Sequence, residues 1–493
     1  MSTPTTSPRT VKPLNARDRH FVDRFSYGHT PALDQAVRSA GGGRAWFEDQ
    51  LTPDRIADKP GGKVRGWYPS LWYSPAKLFY RNYHDIKPAW EVMTDFGRWT
   101  MMRRTLSTHQ VHELMVEFWS NLLHVPVGDD SAWPYRIAYD KLIRTHALGR
   151  FDDMLVKTIT HPCMGLYLDN ATSTKGAPNE NLGRELLELH TVGVDAGYRE
   201  KDVKASAKML TGYRAQIYAK GSSGEYDALW AKYIADDHYV GKLKIFGFKS
   251  ANKHADGRKA TEQYLRYLAH HPATAKRIAH RLAVRFVSDD PSADLVRTVA
   301  RAWTRSGTDI KTTLRALVAH PQFASSAGRK VRMPLEDTIA TIRALEIKPK
   351  KPKKDGAFAD AIFWVASGQG MTPYNWPAPN GHPEFNAPWS SAGRALTSFG
   401  MHRSLAARWW PTGEAHFPKY SSFLPALPAK YGEVVDHVSV KLLGVHASAK
   451  VKDAVALRSG RALNQQVTAA EMTDASVAQL LTALLSSPTH MTR

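Results

Sequence analysis

Residues 179–190 read NENLGRELLELH, and this stretch predicts an amphipathic helix whose polar side is rich in ionisable groups. At 100° per residue the leucines fall on one side of the helix, which gives it an apolar face for packing. Asn179 precedes this helix and is a suitable N-cap. The polar stripe comprises Asn181, Arg184, Glu185 and Glu188, and the apolar stripe comprises Leu182, Leu186 and Leu189.

Similar helical patterns run along much of the chain, so we expect a mainly α, multi-helical globular protein with a central helical bundle. The alternating stretch YVGKLKIFGF (239–248) indicates at most a short β-hairpin. The expected regions are a disordered tail over 1–14, a helical and aromatic-rich layer over 15–97, the central bundle over 98–345, a Lys/Pro linker over 346–356, and a loop-rich and helical region over 357–493.

The composition is that of a folded and strongly basic protein. Hydrophobic residues make up 43% of the 493 positions, which excludes a disordered chain. Lys and Arg number 67 against 46 acidic residues, and the resulting charge of +21 favours a polyanionic partner such as nucleic acid, anionic lipid or acidic polysaccharide. A solvated basic surface without a partner is the alternative. The single cysteine, Cys163, excludes an internal disulfide and any cysteine-based metal cluster.

The location of the protein is inferred from two absences. No apolar run approaches the roughly 18 residues of a membrane-spanning helix. The N-terminal sequence MSTPTTSPRTVKPLNARDRHF lacks the apolar centre of a secretory signal. We therefore expect a cytoplasmic protein without a transmembrane segment, and export as a passenger of another protein stays open.

Three blocks of sequence carry a family resemblance. The first joins MVEFWSNLLHV (115–125) to LGRFDDMLVKTITHPCMGLYLDN (148–170), the second is PNENLGRELLELHTVGVDAGYREKDVKASAKMLTGY (178–213), and the third is YNWPAPNGHPEFNAPWSSAGRALTSF (374–399). DRFSYGHTP and LAHHPATAKRIAHRLAVRFVSDDP support them. Together they resemble the bacterial domain-of-unknown-function family number eighteen hundred. The resemblance implies an uncharacterised helical protein, often encoded beside a sulfatase-like protein, which is thereby a candidate partner.

One position departs from the family pattern. The family commonly has a histidine in a Trp-x-Asn-His-Phe phrase, whereas Leu122 follows Asn121 here. Any metal role of that histidine is therefore lost in this chain or passed to His124.

The polar stripe of the opening helix is the predicted site. Two glutamates three residues apart lie about 5–6 Å from each other, so one carboxyl group can keep its proton and act as an acid while the other acts as a base. We predict Glu185 and Glu188 as the catalytic pair. Alternatively, Arg184 neutralises both in a structural ion-pair network. The predicted substrate-binding residues are Asp169, Asn170, Asn181, Arg184, His190, Trp119 and Asn121.

We predict no metal and no cofactor. Glu188 and His190 are separated by about 200° around a helix, so they cannot share an ion on that helix alone. A metal would require distant segments to converge. His161, His271 and His320 each precede a proline and are interpreted as helix ends, where histidine is favoured. The sequence contains neither a phosphate-binding G-x-x-x-x-G-K-[ST] loop nor a G-x-S-x-G nucleophile turn.

These observations leave two hypotheses open. The first is an enzyme whose paired carboxylates act as acid and base, in the manner of a hydrolase or lyase, on a glycan or other polar polymer. The second is a non-catalytic binding or assembly protein that docks a partner protein or a polyanion through its basic surface. Nucleic-acid binding ranks third, and salt dependence would test it.

Overall fold

The computed structural model describes residues 12–493, and these residues are mainly helical, which confirms the predicted fold class. They contain 24 α-helices and four two-stranded antiparallel sheets. Most of the predicted N-terminal tail lies outside the described residues. Of its last three residues, Leu14 is buried.

Helices occur from one end of the described chain to the other. The first eight are α1 (Ala16–Phe25), α2 (Pro31–Ser39), α3 (Gly43–Gln50), α4 (Lys59–Val64), α5 (Pro75–Tyr83), α6 (Ala89–Leu106), α7 (Gln110–Leu122) and α8 (Trp133–His146). The next nine are α9 (Phe151–Ile159), α10 (Pro162–Tyr167), α11 (Asn181–Glu185), α12 (Glu200–Met209), α13 (Arg258–His270), α14 (Pro272–Phe286), α15 (Ala293–Arg305), α16 (Ile310–Ala319) and α17 (Pro321–Ala324). The last seven are α18 (Pro334–Ala344), α19 (Phe358–Gly368), α20 (Ala392–Ala406), α21 (Tyr431–Leu443), α22 (Ala449–Ser459), α23 (Asp474–Leu485) and α24 (Pro488–Met491).

The β structure is limited to short pairs. The predicted hairpin is confirmed as one of them, and its strands pair Leu243 with Ser250 and Ile245 with Phe248. The longest pair follows α12. The strands are β1 (Tyr213–Ala219) with β2 (Ala228–Tyr233), β3 (Leu243–Ile245) with β4 (Phe248–Ser250), β5 (Lys348–Pro349) with β6 (Ala415–His416), and β7 (Ala429–Lys430) with β8 (Gln466–Val467).

Two hydrophobic cores hold the helices together. The first is built mainly by α1, α3, α7 to α9 and α13 to α16, and it encloses Trp119 and Trp303. The second is built mainly by α5, α6, α18 to α21 and α23, and it encloses Phe79 and Phe96. Helix α7 contributes to both cores, because Trp119 belongs to the first and Leu114 to the second. The two cores are therefore adjacent at α7.

The predicted helix breaks before proline are confirmed, and the histidines have a defined role there. His161, His271 and His320 each occupy the N-cap of the next helix, where Nδ1 accepts a backbone hydrogen bond at 3.1–3.2 Å. An N-cap acceptor satisfies a backbone N–H that has no partner within the helix. His271 and His320 are also the C-caps of the preceding helices, whereas Thr160 is the C-cap before His161.

None of the helices within residues 12–493 is both long and apolar enough to cross a lipid bilayer.

Candidate functional site

The helix that opens the predicted site changes its winding within the quoted stretch. Residues Asn181–Glu185 are α-helical, and Leu186–His190 form a π-helical turn. A π-turn inserts an extra residue, so positions after it are rotated relative to an ideal α-helix. Leu187 and His190 are therefore buried, while Leu189 is only partly buried. Leu182 and Leu186 are buried as predicted.

Glu185 and Glu188 lie on a partly exposed surface beside an arginine. Arg184 is 3.8 Å from Glu188, 3.4 Å from Glu180 and 2.6 Å from Glu200. Partial burial and then the nearby Glu188 raise the pKa of Glu185, and Arg184 opposes them. The site thus combines a carboxyl group that holds its proton more readily with an ion-pair network centred on one arginine.

Two of the predicted substrate-binding residues meet beside this helix. Asn181 Nδ2 donates to Asp169 Oδ2 at 3.1 Å, and Asp169 has a left-handed backbone conformation with φ of 59°. Asn170 is buried, and its Nδ2 donates to the Leu210 carbonyl at 3.0 Å. Asp169 and Asn181 therefore share the surface of the glutamates, whereas Asn170 ties its loop to the end of α12.

The remaining predicted residues face the protein interior. Trp119 Nε1 donates to the Ala147 carbonyl at 3.0 Å, and His190 Nδ1 lies 2.9 Å from the Leu122 carbonyl, to which it donates. Burial lowers the pKa of His190 to about 4, so the ring is neutral at physiological pH. Asn121 is also buried and belongs to the wall of an interior cavity. The structure does not bring Trp119 or His190 to the surface that carries the glutamates.

The interior cavity gathers residues from the first and third sequence blocks, which lie far apart along the chain. Its volume is about 20 Å³, so it accommodates a water molecule and not a substrate. Asn121 joins the two blocks, because its amide donates to the His382 carbonyl at 2.9 Å and accepts from the His382 N–H at 2.7 Å. The polar residues of its wall are Arg104, Glu117, Ser120, Asn121, His124, Arg285, Thr372, Tyr374, His382 and Glu384.

Buried charges surround this cavity in alternation. Glu117 lies 3.4 Å from Arg104 and 3.6 Å from Arg285, and Arg285 lies 2.7 Å from Glu336. Burial alone would raise the pKa of Glu336, but Arg285 and Arg493 outweigh it and lower that pKa to about 2. Such alternation compensates the cost of removing each charge from water.

Some polar atoms of the interior cavity have no partner among residues 12–493. They include the Ser120 hydroxyl and both ring nitrogens of His382, together with atoms of the charged residues Arg104, Glu117 and Arg285. Burial lowers the pKa of His382 to about 4, and the charge of Arg104 contributes to the same shift, so the ring is neutral. A neutral imidazole and a hydroxyl beside a water-sized space can bind an ordered water, which is the chemistry that this cavity supports as it stands.

A larger, open cleft lies between α6, α8 and the segment around the short turn Pro69–Trp72. We call it the aromatic-basic cleft, and its volume is about 430 Å³, within the range of small-molecule sites. Trp72 and Trp99 meet edge to face with ring centroids 6.1 Å apart. The aromatic and basic residues that line the cleft are Trp72, Phe96, Trp99, Arg65, Arg103, Lys141 and Arg144.

The four cations of the cleft fall into two classes. Arg103 and Arg144 are neutralised by the buried Glu113, at 2.7 Å and 2.8 Å. Arg103 and Arg144 also contact Asp58 and Asp140, whereas Arg65 and Lys141 form no ion pair with any acidic residue of the described chain. Both lie against the Trp72 ring instead, at 4.5 Å and 4.9 Å from its centroid. Two positive charges are thus available to an anionic ligand.

The pKa of Lys141 reflects the proximity of the two cations. Partial burial and then the neighbouring Arg65 lower the pKa of Lys141. A bound anion would relieve the repulsion between the two cations and raise that pKa again.

The cleft and the interior cavity are adjacent. Tyr374 lines the cavity and donates to Asp140 of the cleft at 3.0 Å, and its ring stacks on Phe96 of the cleft with centroids 5.2 Å apart. The Arg136 guanidinium lies 4.4 Å from the Tyr374 centroid. Tyr374 therefore forms part of the partition between the open cleft and the closed polar centre.

Sequence reasoning did not identify the cleft. The aromatic segment 60–100 is compatible both with side chains that stack on sugars or bases and with a buried aromatic cluster. The structure contains both types of aromatic side chain there, since Phe79 is buried and Trp72 is half-buried. The cations that distinguish Trp72 come from α8 and from the end of α4. No local spacing relates these segments, so only the tertiary structure shows their proximity.

One comparison with known proteins gives a match. The model of the family described as "Protein of unknown function (DUF1800)" matches residues 20–492. No curated protein and no solved structure matches the chain. The family match spans all the sequence blocks that form the interior cavity, and it covers nearly the whole chain. The resemblance carried by those blocks is therefore confirmed, and the chain belongs to the DUF1800 family.

Proposed function

We propose that the protein binds an acidic glycan, with an anionic sugar residue held in the aromatic-basic cleft. One observation carries this proposal: Arg65 and Lys141 lack acidic partners among the described residues and lie against Trp72 at the edge of a cleft of about 430 Å³. The aromatic side chains that line the cleft offer apolar surface to a sugar ring, and the two cations offer donors to its carboxylate or sulfate group.

The charge of the whole chain supports the same ligand class. A formal charge of +21 raises the local concentration of polyanions near the surface and speeds their association. The cleft then selects among them by shape, because it is a bounded pocket. Single-stranded nucleic acids are usually tracked by extended basic grooves with successive stacking platforms. An acidic saccharide fits this cleft better than a nucleic acid strand does.

Calorimetric titration of the full chain tests the proposal. The probes are an oligosaccharide of uronic acid, a neutral oligosaccharide of equal length and a single-stranded oligonucleotide. We expect the uronate to bind, and its affinity to fall about tenfold or more in Lys141→Ala and in Arg65→Ala, since each removes a charge-assisted contact. Lys201→Ala, which removes an exposed lysine of α12, is the matched control and should bind normally.

The pH dependence gives a second readout of the same contact. Lys141 has a lowered pKa, so it loses its charge at a lower pH than an ordinary lysine does. Uronate binding should therefore weaken as the pH rises through that value, and binding should be accompanied by proton uptake. Equal affinity for the neutral oligosaccharide, binding of the oligonucleotide alone, or an unchanged affinity in both cleft variants would refute the proposal.

A second candidate function is acid/base catalysis by Glu185 and Glu188 on a polar polymer. The raised pKa of Glu185 is the observation that favours it, because a general acid must keep its proton near neutral pH. Glu188→Gln should then abolish turnover of a glycan substrate. The free energy of unfolding should change by less than about 1 kcal/mol, because Glu188 is partly exposed and its arginine is 3.8 Å away. Full turnover in this variant would remove the candidate.

A further inference from the structure

Three helices that are distant in sequence bring together a buried cluster of one aspartate and two histidines. Asp337 comes from α18, His402 from α20 and His490 from α24. All three side chains are buried, with at most 3% of the side-chain surface exposed. Asp337 Oδ1 lies 3.0 Å from His402 Nε2 and 3.2 Å from His490 Nε2. One oxygen and two nitrogens therefore converge on a single point.

We propose that this cluster is a binding site for a divalent transition-metal ion of the Zn²⁺ type. One potential ligand atom from each residue lies within 4.8 Å of the other two. Adjacent ligands of a tetrahedral zinc ion are about 3.3 Å apart, given Zn–N and Zn–O bonds of about 2.0–2.1 Å. The observed separations of 3.0 Å and 3.2 Å are close to that value. Two imidazoles with one carboxylate form a ligand set that zinc accepts.

The surroundings of the cluster resemble those of a metal site. The second ring nitrogen of His402 lies 3.2 Å from the Ser486 hydroxyl, and the second oxygen of Asp337 lies 3.3 Å from Arg394. Contacts of this kind fix the orientation of ligand side chains. Thr341 Oγ1 lies 3.1 Å from His490 Nε2, the ring nitrogen that also faces Asp337. Metal binding here is independent of glycan binding in the cleft.

The structural alternative is an ion-pair network without metal. Asp337 would then accept a hydrogen bond from each histidine, and the network would join α18, α20 and α24 through protons alone. The two arrangements differ in what they bind. Only a metal site takes up one ion per chain and changes the visible spectrum when cobalt is supplied.

Metal loading of the full chain is the test. Chelator-treated protein is dialysed against Zn²⁺ alone, and bound zinc is counted by elemental analysis. We expect one ion per chain in the wild type and background levels in His402→Gln. The control is His84→Gln, because His84, Glu225 and Asp227 form a second, more exposed group of ligand atoms. It should retain the full zinc content. Retention in His402→Gln, loss in His84→Gln, or no uptake by the wild type would overturn the proposal.

A second variant covers the case in which His402→Gln does not fold. Ser486→Ala keeps all three ligands and removes only the contact to His402, so zinc affinity should fall by about 10- to 100-fold. Replacement of zinc by Co²⁺ in the wild type should produce the intense visible bands of a tetrahedral site. An unchanged affinity in Ser486→Ala together with a weak, octahedral cobalt spectrum would also overturn the proposal.

Discussion

Removal of the Glu113 carboxylate should destabilise the protein through two arginines at once. Glu113 is fully buried, and it binds Arg103 at 2.7 Å and Arg144 at 2.8 Å. Burial alone would raise the pKa of Glu113, but Arg144 and then Arg103 outweigh it and lower the pKa from 4.5 to about 2. Glu113→Gln keeps the shape of the side chain and removes its charge.

The size of the effect follows from the pKa shift. The fall of the Glu113 pKa from 4.5 to about 2 corresponds to roughly 3 kcal/mol of stability carried by the ionised form. The folded pKa is lower than the unfolded one, so this stability is present above pH 4.5 and is lost as the pH falls through 2. Near neutral pH, Glu113→Gln should therefore lower the free energy of unfolding by about 3 kcal/mol or more, since it leaves two buried arginines less well compensated.

Urea unfolding at a series of pH values measures this prediction. Between about pH 5 and pH 2 the wild type should lose the stability that Glu113→Gln already lacks, so the two curves should converge in acid. Glu48→Gln is the matched control, because Glu48 binds Arg315 at 2.7 Å on the surface, and it should cost less than about 1 kcal/mol. Equal losses in the two variants, or parallel pH curves, would refute the reasoning.

Three further predictions concern packing and burial. Gly183→Ala should lower the free energy of unfolding by about 1–3 kcal/mol in thermal or urea melts, because the new Cβ would lie 2.8 Å from the Ala207 backbone nitrogen. Burial raises the pKa of Cys163 to about 12, so a thiol reagent at about pH 8 should label the native protein far more slowly than the urea-unfolded protein. Asn121→Ala should lower the free energy of unfolding by about 1–3 kcal/mol in the same melts, because it leaves the buried backbone N–H and carbonyl of His382 without their hydrogen-bond partner. An unchanged free energy of unfolding would show that water replaces the amide.

Local structure could be predicted where a single residue determines it. Thr30 followed by Pro31 is a sequence signal for a capped helix start, and the Thr30 hydroxyl accepts from the Leu33 N–H at 3.0 Å. The hairpin over 243–250 overlaps the stretch 239–248, where the alternation of apolar and polar residues predicts it. Both signals act within a few residues, so tertiary contacts are not needed to interpret them.

The π-turn explains why α-helical periodicity does not predict the burial of Leu189 and His190 correctly. The prediction applied one rotation of about 100° per residue to the whole helix, but the winding changes at Leu186. His190 is carried into the interior by that change, and Leu189 is left partly exposed. Periodicity contains no information about such a change, because it arises from packing against other parts of the fold.

The candidate sites required convergence of distant segments. The aromatic-basic cleft joins Arg65 to Lys141, and the aspartate–histidine cluster joins Asp337 to His490. The spacing of Glu188 and His190 argues against a metal ion bound by that helix alone. A metal site built from separate segments remains compatible with the sequence. Each residue alone resembles an ordinary surface cation or a buried polar group, so no single stretch signals either site.

The second hydrophobic core combines helices from distant parts of the chain, and this affects folding during synthesis. Helix α6 packs against α18 and α19, which leave the ribosome more than two hundred residues later in the chain. The part of its apolar surface that contacts α18 and α19 stays uncovered during that interval. We therefore expect the nascent chain to depend on holding chaperones until its C-terminal third is synthesised, and its yield to be sensitive to their supply.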